Sequence, residues 1–153
     1  MGISADVKLF NARIQLGVDQ LKKMKGVSKD VIVLGYCFGG TGAVEYARTG
    51  AKVKGVISFH GGLASRNVKD GSKIKAAVLA LHGANDPYVP ANDLAAFKKE
   101  MLDNKVNFEM VEYANAVHSF SEKGAGNDNS EGAAYNALAD QRSFARAVQF
   151  IQE

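Results

Sequence analysis

The stretch VIVLGYCFGGTGAVEYA, residues 31–47, decides how the rest of this sequence is read. It opens on a run of branched apolar side chains, residues 31–34, the composition of a strand buried on both faces. It then passes through Gly35-Tyr36-Cys37-Phe38-Gly39-Gly40 straight into a small-residue helical pattern over residues 39–48. A strand that turns at once into a helix lifts its turn residue above the sheet in a strained conformation. Small residues two before and two after that turn are expected, because side chains there would collide with the adjoining elements. Gly35-x-Cys37-x-Gly39 is that pattern, with sulfur where a nucleophile elbow usually carries a serine oxygen. The helix N-terminus that follows favours negative charge and offers free N–H groups, beginning with that of Phe38, to an oxyanion.

Two other readings of the turn stay open at this point. A lone cysteine is often a small buried hydrophobe, and glycine-rich turns between strand and helix also cradle phosphates. The phosphate reading lacks its partners. No Gly-Lys-Ser/Thr ending follows, and no acidic residue stands after the second strand where a dinucleotide fold needs one.

Outward from the elbow, three more strands are predicted at residues 53–59, 76–82 and 106–113. Helical spacing places Val7, Phe10, Ile14, Val18 and Leu21 on one side of residues 4–25, and Leu94, Phe97, Met101 and Leu102 on residues 92–104. The last helix is predicted over residues 132–152, carried by Leu138, Phe144, Val148 and Ile151. Loops fall at residues 61–72, 83–90 and 121–130. The alternation implies an α/β fold: a three-layer sandwich with a parallel sheet of about four strands and helices on both faces. With 153 residues, no repeat and no dividing linker, the chain reads as a single domain.

Composition narrows the function. The chain is 46% hydrophobic and 23% charged, ordinary for a soluble globular protein. A net charge of +3, with its lysines dispersed over loops and solvated faces, argues against a nucleic-acid or membrane surface. A single cysteine excludes an intramolecular disulfide, and no Cys/His grouping has zinc-ligand spacing. No apolar run approaches the ~20 residues of a membrane span, and residues 1–10 lack the features of a signal peptide. A cytoplasmic location with a reduced thiol is expected.

Ligands of parallel α/β sheets bind beyond the carboxyl ends of the strands. Cys37, His60, Asp86 and His118 each follow a predicted strand there. A thiol nucleophile needs a base, and the base an orienting carboxylate, in the chain order nucleophile, acid, histidine. Cys37, Asp86 in the turn before Pro87, and His118 after the fourth strand fit that order. His82 lies within a predicted strand and reads as a packed histidine. His60 opens a His-Gly-Gly turn and is expected on the floor of the site.

Gly-Tyr-Cys-Phe-Gly-Gly at 35–40, Val-Ile-Ser-Phe-His-Gly-Gly at 56–62, Leu-His-Gly-Ala-Asn-Asp-Pro at 81–87 and Val-His-Ser-Phe at 117–120 resemble the dienelactone hydrolase family of α/β hydrolases. The similarity runs from about Asp6 to the end of the chain. It implies Cys37 as nucleophile, His118 as base and Asp86 as orienting acid, with Phe38 giving a backbone oxyanion donor. Tyr36, His60, Tyr88 and Phe120 are the expected substrate-contacting side chains. It further implies hydrolysis of a small ester or lactone through an acyl-thiol intermediate, with no metal or cofactor. The alternative reading is a catalytically weak or inactive hydrolase-like domain used for binding.

Family members extend further at the N-terminus. The resemblance thus implies that the first strands of the sheet lie outside this sequence, with a second oxyanion donor, a glutamate that modulates the thiol and a substrate-gripping arginine. A second family arginine, four residues after the histidine, is Glu122 here. The strand at residues 31–34, central in the family, becomes an edge. An unguarded apolar edge recruits other strands, so a two-fold homodimer through it is expected.

Overall fold

The computed structural model describes residues 6–153, apart from the side chain of Val68. The chain forms α1 (Val7–Lys23), β1 (Ile32–Tyr36), α2 (Phe38–Arg48), β2 (Gly55–Phe59), β3 (Ala77–Gly83), α3 (Ala91–Asp103), β4 (Phe108–Tyr113) and α4 (Ala137–Gln152), with short 3-10 turns in the loops. The strands lie in the order β1-β2-β3-β4, every neighbouring pair parallel, in the register Leu34↔Ile57↔Leu79 and onward to Glu109. This is the expected α/β sandwich.

Two apolar layers hold it. One, between the sheet and α1, α2 and α3, includes Val18, Val44, Tyr46, Val56, Phe97 and Met101. The other, under α4, includes Ile57, Phe59, Leu79, Leu81, Phe120 and Phe150. Each fully buried side chain of this size contributes about 1.5–3 kcal/mol relative to exposure. Polar groups also cross-link the first layer. Arg48, buried at the end of α2, donates to Glu45, to Glu100 of α3 and to the Leu63 carbonyl.

The helix ends follow local chemistry. Asp6 caps α1 by accepting from the Leu9 N–H, and Lys22 and Lys23 occupy its last turn, where the helix dipole favours cations. The predicted helix over 4–25 is thus shorter at its C-terminal end, and residues 4 and 5 lie outside the described ones. The last helix begins at Ala137, not at 132, because Asn136 caps it through the Ala139 N–H. Residues 132–136 instead run beside the His118 loop. His118 N–H donates to the Gly132 carbonyl, and Ala134 N–H donates back to the His118 carbonyl.

The apolar face expected of this helix is also corrected. Ala139, Ser143, Ala147 and Phe150 are buried, whereas Leu138, Phe144, Val148 and Ile151 are exposed. Small side chains let α4 approach the sheet closely, and the larger ones fall to its flanks, Leu138 beside β4 and Ile151 beside β1. On α3, Leu102 is likewise exposed while Phe97 and Met101 are buried. Among the described residues, no helix is long and apolar enough to cross a membrane.

Candidate active site

Cys37 occupies the single residue between β1 and α2, at φ 51° and ψ −119°. That backbone conformation is strained for a side-chain-bearing residue by about 1–3 kcal/mol. It persists because both sides are fixed: Cys37 N–H donates to the Phe59 carbonyl, and Thr41 N–H donates to the Cys37 carbonyl. A Cβ on Gly35 would lie 2.2 Å from the backbone of Gly39, so only glycine fits there. Gly39 itself has open space where a Cβ would be, contrary to the expected crowding two residues after the turn. The second crowded position is Gly40, whose Cβ would meet Ser58 Oγ at 2.7 Å.

The exposed Cys37 thiol meets the imidazole of His118, Sγ to Nε2, at 3.1 Å. His118 Nδ1 in turn lies 2.9 Å from Asp86 Oδ2. The other Asp86 oxygen accepts from Tyr88 N–H at 2.9 Å, in the tight turn that ends β3. Burial pushes the Asp86 carboxyl up, but the hydrogen bonds from His118 and Tyr88 outweigh it and hold it below its ordinary value. The same carboxylate raises His118 to about 9, against the desolvation that would lower it, and the contact with Cys37 adds to the rise. The His118 loop carries left-handed residues on either side, Asn115 at φ 60° and Ser119 at φ 56°. It is tied down by the 132–136 segment.

The other expected contacts divide. Tyr36 is exposed beside the elbow, stacked on Phe59. Tyr88 is exposed and stands edge-on to His118 at 5.4 Å between centroids. Phe38 stacks its ring on Phe10 of α1, and its backbone N–H lies in the first turn of α2, where N–H groups have no partner within the helix. Phe120 is a correction: with 0% exposure it belongs to the core under α4 and cannot touch a substrate there. The left-handed turn at Ser119 sends its ring inward, where it packs edge-on to His60.

His60, only 2% exposed, lies beneath the site floor and not on it. Its ring stands edge-on to His118 at 5.3 Å, and Nε2 lies 2.9 Å from Ser121 Oγ. Burial, with His118 nearby, lowers it to about 4, so it is a neutral support. Ser121 went unseen in the sequence; a lone serine in a polar loop gives no signal. Gly61 has one in hindsight: a Cβ there would strike Thr41 N and Gly40 C, so the His-Gly-Gly turn packs directly against the elbow. His82 is buried as expected, within β3.

A cavity of about 380 Å³, lined by Ile32, Lys54, Phe108 and Phe150 among others, opens at the amino ends of the strands, far from the thiol. Among the described residues, no group of three or more histidine, cysteine and carboxylate side chains could hold a metal ion.

Comparison with known proteins identifies the family. Residues 3–153 match the dienelactone hydrolase family. The chain belongs to that family. A Caenorhabditis elegans protein of unstated activity is 28% identical over 149 residues, 92% of this chain and 91% of its own length. A Bradyrhizobium protein described as "Probable 2-oxo-3-(5-oxofuran-2-ylidene)propanoate lactonase" is 29% identical over 71% of this chain and 48% of its own. Among solved structures, a dienelactone hydrolase-like promiscuous phosphotriesterase from metagenomic libraries superposes with a TM-score of 0.89 at 35% identity, over 97% of this chain and 62% of that one. The chain thus spans about half of the Bradyrhizobium relative and under two thirds of this solved one.

Proposed function

We propose that the protein hydrolyses small esters or lactones by a Cys37 acyl-thiol route. The observation that carries the reading is the hydrogen-bonded series Cys37–His118–Asp86 at the carboxyl ends of three strands. Family membership and the lactonase description of the Bradyrhizobium protein support the substrate class.

In the first half-reaction the Cys37 sulfur bonds to the carbonyl carbon while its proton passes to His118 Nε2. The carbonyl electrons move onto oxygen, which takes a hydrogen bond from the Phe38 N–H. On collapse the C–O bond to the leaving alcohol breaks, and the alcohol takes the proton from His118. Water then attacks the thioester, giving its proton to the same nitrogen. The acid departs, and the thiol recovers the proton. Asp86 holds the ring with Nδ1–H turned away and stabilises the imidazolium.

Glu122 stands where an arginine would grip an acidic substrate, and its carboxylate is spent on the Gly124 N–H. Neutral acyl groups are therefore the expected class. The Phe38 N–H serves as an oxyanion donor, and each such donor is worth about 10²–10³ in rate. A non-catalytic binding domain is the competing reading, and p-nitrophenyl acetate separates the two. Turnover that falls in Cys37→Ala, His118→Ala and Asp86→Asn supports the hydrolase; equal rates in all four proteins reject it.

A further inference from the structure

His60 is a buried titratable side chain to which the route above gives no part. Its placement works against stability twice. Its backbone is left-handed, at φ 39°, where a side-chain-bearing residue is strained. Its Nδ1 is buried with no hydrogen-bond partner among the described residues, which is also unfavourable. An apolar aromatic ring would occupy the same kind of space without an unpaired nitrogen. Packing alone therefore does not account for an imidazole here.

The backbone around His60 is tied to the elbow. His60 N–H donates to the Leu81 carbonyl, and the Phe59 carbonyl just before it accepts from Cys37 N–H. Two residues further on, Gly62 N–H donates to Thr41 Oγ1 in the first turn of α2. From that frame the His60 ring meets the loop of the base at three places. It stands edge-on to His118 at 5.3 Å between centroids and edge-on to Phe120 at 5.2 Å, and its Nε2 lies 2.9 Å from Ser121 Oγ. The Ser121 contact fixes which way the imidazole is turned. The other ring beside His118 belongs to Tyr88, which is 62% exposed and so a softer support.

In the free site His118 is held by Cys37 at Nε2, by Asp86 at Nδ1 and by the His60 ring. Once the sulfur carries an acyl group it has no proton to exchange with Nε2, and that nitrogen must take one from water instead. Asp86 and His60 are then the buried supports that remain. A ring held at one nitrogen loses its aim more easily, and misplacement by about 1 Å can slow a reaction 10²-fold.

We propose that His60, turned by Ser121, is a positioning residue that keeps His118 aimed at the attacking water after Cys37 is acylated. The proposal rests on the acyl-thiol reading of the site. It distinguishes the two half-reactions, because loss of the His60–Ser121 pair slows deacylation much more than acylation. A residue needed only for the fold would slow both alike. Burial keeps His60 neutral, so the imidazolium formed at His118 meets no second cation behind it.

Single-turnover reaction of p-nitrophenyl acetate with excess protein reads the two steps separately. Absorbance of p-nitrophenol gives acylation, and the intact mass of acid-quenched protein gives decay of the acetylated form. Ser121→Ala, at a half-buried loop position, removes the hydroxyl that turns the ring. His60→Gln keeps a nitrogen for Ser121 and removes the ring itself. Deacylation is expected to slow about 10-fold in Ser121→Ala and about 10²-fold in His60→Gln, with acylation within about threefold of the parent in both. Unchanged deacylation in Ser121→Ala would overturn the proposal and leave the acyl-thiol reading standing. So would equal slowing of both steps in a variant that keeps the parent's melting temperature. Turnover by the parent with no acetylated protein would overturn the acyl-thiol reading, and the proposal with it.

Discussion

His118 takes its protonation behaviour from its two neighbours. The Asp86 carboxylate is the larger influence and Cys37 the smaller, together raising it to about 9. In the proposed route the ring must be free to accept the thiol proton, so the acylation rate is expected to climb as pH rises toward that value. Asp86→Asn removes the leading cause. The pH profile should then move down toward the ordinary histidine value of about 6.5, with the maximal rate lowered about 10²–10⁴-fold. Stopped-flow release of p-nitrophenol across the pH range measures both. An unmoved profile would mean that Asp86 does not set the state of the ring. The candidate residues were legible from chain order, since Cys37, Asp86 and His118 follow β1, β3 and β4. Phe120 was not: its closeness in sequence to His118 says nothing about the turn at Ser119 that sends its ring into the core.

At the scale of the elements, the β1–α2 turn makes a paired prediction. Gly35→Ala drives a methyl into the Gly39 backbone, and overpacking against backbone is expected to cost about 3 kcal/mol or more. Gly39→Ala meets nothing among the described residues and replaces glycine within a helix, a gain of about 0.5–1 kcal/mol. Urea unfolding of the two variants measures the contrast; similar losses in both would show that the turn is crowded on each side. The G-x-C-x-G pattern could not separate these glycines, because crowding depends on what packs against the turn from elsewhere. α4 shows the same limit. Periodicity marked Leu138, Phe144, Val148 and Ile151, yet Ala139, Ser143 and Ala147 face the sheet. Alanine carries little hydrophobic signal, but its small size is what permits close helix–sheet packing. The Arg48 cluster was also invisible from spacing, since Glu100 is brought to it by tertiary contact. Arg48→Leu would leave Glu45 and Glu100 without their cation in a buried setting and is expected to cost about 3–5 kcal/mol.

Across the whole molecule, the three histidines give stability a pH dependence of two opposite arms. His118 is raised in the fold, so its contribution is complete below its unfolded value of about 6.5 and is lost as pH climbs through about 9. His60 is lowered to about 4 by burial. Below about 6.5 the unfolded chain therefore takes up a proton that the native site refuses, and stability falls as pH drops toward 4. His82, also lowered by burial, adds to the acid arm. Unfolding free energy should be greatest near pH 6.5, and His118→Ala should flatten the alkaline side while changing the acid side less, since His118 is a secondary cause of the lowered His60. The layered parallel sheet that brings these groups together was readable from alternating strand and helix patterns.

The central claim is that Cys37 carries the acyl group. Rapid acid quenching of the parent protein during p-nitrophenyl acetate turnover, followed by peptide mass mapping, tests it most directly. The account predicts an acetyl thioester on the peptide containing Cys37, formed with the burst of p-nitrophenol and lost when substrate is exhausted. Steady turnover with that peptide unmodified, or acetyl carried on a lysine or serine instead, would contradict it.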